Sequence, residues 1–332
     1  MTESISPELW VDIANEAAAD GTVVLRRVAP DLAHDVFIGE RRPSRERVLW
    51  LEINGSVGNV PRIRRPAKGL DVEVDSRTPG RTKIRLASTS SSNNSLFQEL
   101  ANDVLRLLHR IPENGSAIRV LERVSAWQSF FAQRHSGFSP EKAAGLFAEL
   151  TVLDGIFIPA IGSWLAVAGW TGPDPALQDF QFGTLAIEVK SFRGNGPGRM
   201  TISSERQLEA IGTTELYVAY LRLDQRSEGT GTTLIDMIKA VRHAVSDSPS
   251  AADLLDEKLL SYGWHDRFAG ERSEKYEVRS SESFNVADDF PRIVSSDLMN
   301  GVGGVSYSIE RSAIDAFLVQ WGDFSQRLKG HL

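Results

Sequence analysis

The spacing of apolar positions changes along the chain. Up to about residue 92 they form short runs bounded by turn residues: Thr22-Val23-Val24-Leu25, Val48-Leu49-Trp50-Leu51-Glu52-Ile53 and Lys83-Ile84-Arg85-Leu86. Such runs predict strands. After a polar stretch from Ser88 to Asn94, helical spacing takes over. One amphipathic helix starts at Ser95 and carries Leu96, Leu100, Val104, Leu107, Leu108 and Ile111; a second carries Ile118, Leu121, Val124, Trp127, Phe130 and Phe131. Pro112-Glu113-Asn114-Gly115 separates them and predicts a boundary, with a β-rich region over 1–115 and a second domain over 116–332. In the second domain helices alternate with strands. A helix starts at Ser139-Pro140, with Ser as cap and Pro at the first position. Strands follow at 176–191, 200–202, 216–221, 276–287 and 303–309, and helices at 204, 232–245, 250–261 and 311–328. The pattern is mixed α/β.

Candidate chemistry concentrates in Asp179-Phe180-Gln181-Phe182-Gly183-Thr184-Leu185-Ala186-Ile187-Glu188-Val189-Lys190. Gly183-Thr184 suits a two-residue hairpin turn. That turn pairs 182 with 185, 181 with 186, 180 with 187 and 179 with 188, so Asp179 and Glu188 have Cβ atoms about 4.5–5.5 Å apart on one face. Lys190 shares this face, and Ile187 and Val189 point the other way. Two carboxylates so close repel unless a proton or a metal lies between them. Magnesium accepts one or two carboxylates together with phosphate oxygens, and a neighbouring lysine can orient water. The arrangement suits metal-assisted phosphodiester hydrolysis; a surface salt-bridge ladder would have the same pattern.

Two more residues bear on this choice. Glu149 falls inside the apolar arc Ala143, Leu146, Leu150, Leu153 of the helix from Pro140. A buried acid needs a partner: a cation, a metal or a hydrogen-bond donor. Gln207 stands three residues after Ser204, which suits a capping box or a glutamine facing the site.

Composition narrows the chemistry. The 332 residues contain no cysteine, which excludes disulfides, thiolate metal sites and a cysteine nucleophile. The six histidines are scattered without ligand spacing. No phosphate-loop glycine fingerprint occurs, no leader pattern opens the chain, and no uninterrupted apolar run approaches membrane length. The net charge of -7 argues against a nucleic-acid partner. However, residues 41–68 hold eight basic side chains against two acidic ones. Among them, Arg41, Arg42, Arg62, Arg64, Arg65 and Lys68 form either a solvated loop or a phosphate-contacting surface.

GLFAEL (145–150), Trp164, Trp170, QDFQF (178–182), AIEVKS (186–191), ISSERQL (202–208), FPRI (290–293) and the strand at 305–309 together resemble the bacterial PD-(D/E)XK motif proteins of the PD-(D/E)XK nuclease superfamily. The resemblance spans most of the chain and is weakest before residue 90. It implies a restriction-endonuclease-like core, a mixed central sheet flanked by helices. It also implies a magnesium-dependent DNA endonuclease, with manganese as the substitute metal, of a restriction-modification or phage-defence system. Asp179, Glu188 and Glu149 would hold the metal, Lys190 would orient water, and Gln207 would steady Lys190 or a phosphate. Pro173-Asp174 offers Asp174 as a rival to Asp179. The implied partners are double-stranded DNA and other proteins of the same system, with the chain acting as a homodimer or complex subunit in the cytoplasm and with no membrane partner. The alternative is an inactive nuclease-fold subunit that binds DNA or scaffolds a defence complex.

Overall fold

A computed structural model describes residues 4–55, 63–67, 69–112, 115–133, 138–174, 176–194, 196–226 and 230–331, apart from the side chains of 63–67, 268 and 271. The fold is mixed α/β, as the alternating pattern predicts, and the chain forms two compact units, Met1–Gly137 and Phe138–Leu332.

The first unit opens with helix α1 (Pro7–Asn15), capped by Ser6. This is the same Ser-Pro signal as at Ser139-Pro140, yet the sequence reading missed it here. Strands β1 (Val23–Val28), β2 (Asp35–Arg41), β3 (Arg47–Asn54), β4 (Ile63–Ala67), β5 (Leu70–Asp75) and β6 (Arg81–Ser88) form an antiparallel sheet in the order β1-β2-β3-β6-β5-β4. Alternation buries Val36, Ile38, Leu49, Leu51, Ile53, Ile84 and Leu86. Helices α2 (Asn94–Arg110) and α3 (Ser116–Gln133) pack on each other and on β3. The unit boundary therefore falls after Gly137, not at 115/116. The reason is that α3 is tied to α2: Trp127 Nε1 donates to Asp103 at 2.8 Å, and the buried Arg123 lies 3.5 Å from the same carboxylate.

The second unit begins with α4 (Pro140–Val152), which continues through a widened π turn, Leu153–Phe157, into α5 (Ile158–Ile161). This run, Pro140–Ile161, has a mean hydropathy of 1.7 over its apolar window and is the only one among the described residues long and apolar enough to cross a membrane. Charged residues interrupt it, so it contains no uninterrupted apolar stretch of membrane length. Half of that window is buried within the unit, with Leu146, Phe147, Leu150 and Phe157 in the core.

After α6 (Ser163–Gly169) come β7 (Phe180–Phe182), β8 (Leu185–Arg193), β9 (Arg199–Ile202) and β10 (Glu215–Arg226). Then come β11 (Thr232–Thr233), α7 (Leu234–Ala244), α8 (Pro249–Tyr262), β12 (Lys275–Asn285) and β13 (Tyr307–Glu310). The main sheet runs β11-β12-β10-β8-β7; β8 and β10 are parallel and the other neighbours antiparallel. The helix expected over 311–328 divides into a 3-10 turn (Arg311–Phe317), a short β14 (Leu318–Val319) on β12, and α9 (Trp321–Gly330). Ser283 explains the break: its hydroxyl donates to the Val319 carbonyl at 2.7 Å and holds that stretch against the sheet.

Candidate active site

The hairpin takes the register its turn residues dictate. Phe182 pairs with Leu185, Gln181 with Ala186 and Phe180 with Ile187, and Gly183 turns with a φ of 56°. On the apolar side, Phe180 and Phe182 meet Phe157 with ring centroids 4.6 and 5.0 Å away. Burying each ring is worth about 1.5–3 kcal/mol. That packing fixes which face of β8 carries Glu188 and Lys190.

Asp179 sits just before β7. Its carbonyl accepts from the backbone N–H groups of Thr171 (2.8 Å) and Gly172 (2.9 Å), and its carboxylate Oδ2 accepts from Val189 N at 2.7 Å. The aspartate is thus anchored to β8 beside Glu188, next to the position the register predicts. Asp174 is placed elsewhere: it is half exposed and pairs with Lys258 at 3.3 Å.

Glu188 is 2 % exposed. Its Oε1 lies 2.7 Å from Lys190 Nζ, while its Oε2 has no hydrogen-bond partner among the described residues. Lys190 Nζ also donates to Gln207 Oε1 at 2.8 Å. The same Gln207 oxygen accepts from Ser203 N at 2.8 Å. Gln207 therefore secures the start of its turn and steadies the lysine, while Ser204 caps the turn through Arg206 N. The element is a short 3-10 turn, Glu205–Leu208. Gln178, buried at 4 %, ties it down by donating to the carbonyls of Gln207 and Glu209, both at 3.2 Å.

Glu149 is buried on α4, as the apolar arc predicts. Its partners are hydrogen-bond donors, one of the three kinds expected from sequence: Trp170 Nε1 donates to Oε2 at 2.7 Å, and Tyr262 OH donates to Oε1 at 2.8 Å. The two rings stack with centroids 6.1 Å apart. Gly172 borders Glu149 and Asp179: a Cβ there would lie 2.4 Å from Glu149 Oε2 and 3.3 Å from Asp179 Oδ1. Among the described residues, no group of three carboxylates or histidines is disposed to hold a metal. The candidate centre is therefore the pair Asp179 and Glu188, with Glu149 held next to it.

The electrostatics follow from burial. Burial, and then the Asp179 charge, push the Glu188 carboxyl up to about 8, against the pull of Lys190. Burial also raises Asp179, opposed by Lys190 and the Val189 N–H. Glu149 is raised well above the carboxylate range by burial first and the Asp179 charge next, with Trp170 and Tyr262 opposing. Three acids with one nearby ammonium resist ionising together. A divalent cation would relieve this, and the unpartnered Glu188 Oε2 offers it a ligand atom.

Of the basic residues of 41–68, the four whose side chains are described, Arg41, Arg42, Arg45 and Arg47, are engaged within the first unit. Arg42 is buried, paired with Glu40 at 2.5 Å and donating to carbonyls of α1 and its end, which corrects its expected place on a phosphate-contacting surface. Arg41 pairs with Glu46 at 3.3 Å and remains partly exposed. Arg64 and Arg65 lie on β4 opposite Glu73 and Val72. Arg62 and Lys68 lie outside the described residues.

The residues missed from sequence were Tyr262, Gly172, Gln178 and the donor role of Trp170. Only Trp170 carried a signal, since a buried indole N–H seeks an acceptor.

An aspartate entering a hairpin and a Glu-x-Lys pair on its second strand, in a mixed sheet flanked by helices, define a PD-(D/E)XK-type domain with a nuclease-like fold. The family model described as "Putative PD-(D/E)XK family member" (DUF4420) matches residues 7–312, and the chain belongs to that family. No curated protein and no solved structure matches it.

Proposed function

We propose that the protein is a divalent-metal-dependent DNA endonuclease of a bacterial restriction or phage-defence system, acting on double-stranded DNA in the cytoplasm as a homodimer or complex subunit. The observation that carries this reading is Glu188: buried, bound to Lys190 through one oxygen, and with the other oxygen beside Asp179 and unpartnered among the described residues. Asp179 and Glu188 would hold magnesium, or manganese in its place. The bound ion supplies Lewis-acid polarisation of a phosphoryl oxygen and a lowered pKa for water. Among the described residues, Glu188 and Gln207 take two of the three Lys190 N–H donors; the third would orient the attacking water or meet developing negative charge. Water oxygen bonds to phosphorus as the bond to the leaving sugar oxygen breaks; the attacking water gives up a proton to solvent and the leaving oxygen takes one from solvent. Glu149, held by Trp170 and Tyr262, fixes the wall against Asp179.

Cleavage of supercoiled plasmid with magnesium or manganese, compared between the wild type and Lys190→Ala, tests this reading. Cleavage lost in the variant supports it; equal activity in both overturns it. The absence of a three-carboxylate group among the described residues favours a second reading, a nuclease-fold subunit that binds DNA or a partner without turnover. That reading predicts DNA binding and no cleavage at any metal concentration.

A further inference from the structure

One face of the six-stranded sheet carries a row of side chains in register across five strands. Arg27 lies opposite Phe37, Phe37 opposite Trp50, Trp50 opposite Arg85, and Arg85 opposite Glu73. Two aromatic rings, both partly exposed, are thus flanked on each side by a guanidinium. Two depressions flank the row and share Trp50. One, of about 550 Å³, has Arg41, Lys83 and Arg85 among its lining residues; the other, of about 380 Å³, has Leu25, Arg27 and Phe37.

Charge separates this face from the molecule's average. Five basic residues and three acidic ones line the two depressions, in a chain whose net charge is -7. The three acids already have cationic neighbours: Glu52 with Lys83 at 3.2 Å, Glu73 with Arg85 at 2.8 Å and Asp75 with Arg77 at 2.6 Å. Arg27, Arg41 and Lys83 keep 48 %, 39 % and 41 % of their side-chain surface exposed. Ion pairs that exposed are weak and exchange readily for a phosphate oxygen.

The chemistry selects the occupant. In a duplex the bases stack on one another and leave no face for Trp50 or Phe37. Protein interfaces favour arginine and aromatic residues but are depleted of lysine, and Lys83 lines this face together with Trp50. A single strand offers unstacked bases for the aromatic rings and phosphates for the cations beside them. We propose that this sheet face binds single-stranded nucleic acid, with bases stacked on Trp50 and Phe37 and the backbone running past Arg27, Arg41 and Lys83. Such binding requires neither a metal nor Lys190, so it stands or falls separately from hydrolysis.

Fluorescence anisotropy of labelled single strands of about 12 nucleotides, within the span of one such site, tests it on the full chain in EDTA. DNA and RNA strands of one sequence are compared with the corresponding duplex. The wild type should prefer the single strands, and a difference between DNA and RNA would name the polymer. Trp50→Leu keeps apolar bulk but removes the stacking face, and should weaken binding by roughly 5-fold or more at unchanged melting temperature. Lys83→Gln should flatten the salt dependence by about 0.7 in log–log slope. A wild type that binds neither single strand, a preference for duplex, or unchanged affinity in a folded Trp50→Leu protein would overturn the proposal.

Discussion

Lys190 Nζ lies 2.7 Å from Oε1 of Glu188, two residues earlier on β8, and 2.8 Å from Oε1 of Gln207 on the following turn. The glutamine is a second anchor for the ammonium. Gln207→Ala should lower metal-dependent cleavage by about 10–100-fold, the cost typical of losing a supporting contact at a metal site. Single-turnover plasmid assays beside a thermal melt check this: the rate should fall while the melting temperature barely moves.

Tyr262 and Trp170 each donate one hydrogen bond to Glu149. Removing one donor from a buried acid costs about 1–3 kcal/mol. Tyr262→Phe should therefore lower unfolding stability by that amount in urea titrations. It should also weaken manganese binding, because the wall beside Asp179 loosens.

Gly172 leaves room for two carboxylates. A methyl group there would sit 2.4 Å from Glu149 Oε2, closer than real contacts allow, so Glu149 or the loop must shift. Gly172→Ala should reduce divalent-ion affinity in calorimetric titration more than substitution at the exposed Gly196, where a Cβ meets nothing within 4 Å.

The pH dependence of the metal-free protein should have the sign opposite to that of an ordinary paired carboxylate. Folding raises the Glu188 carboxyl from 4.5 to about 8. Its protonated form is the one that folding favours. This contribution to stability is fully present below about 4.5 and is lost as pH rises through about 8. Asp179 and Glu149 are raised as well and act in the same direction. In EDTA the melting temperature should fall across that window. Glu188→Gln should flatten the fall, and added manganese should reverse it in the wild type.

Much of the site was legible because it rests on local periodicity. The two-residue turn at Gly183-Thr184 and the alternation along β8 place Glu188 and Lys190 on one face, and the α4 arc places Glu149 inside. What escaped was long-range. Tyr262 reaches Glu149 from 113 residues away, and no pattern within α8 marks its hydroxyl as a donor. The unit boundary was missed for a similar reason: the Asp103 contacts of Trp127 and Arg123 pull α3 into the first unit, whereas Pro112-Gly115 signals only a turn. Arg42 shows the limit of counting charge, since a basic run on paper includes a guanidinium buried against Glu40 and the end of α1.

The most direct measurement is anomalous diffraction from crystals soaked in manganese. An anomalous peak between Asp179 and Glu188, in contact with Glu188 Oε2 and lost in Glu188→Gln, is the expected result. No peak there at saturating manganese, with Lys190 still paired to Glu188, would contradict a metal-dependent active site.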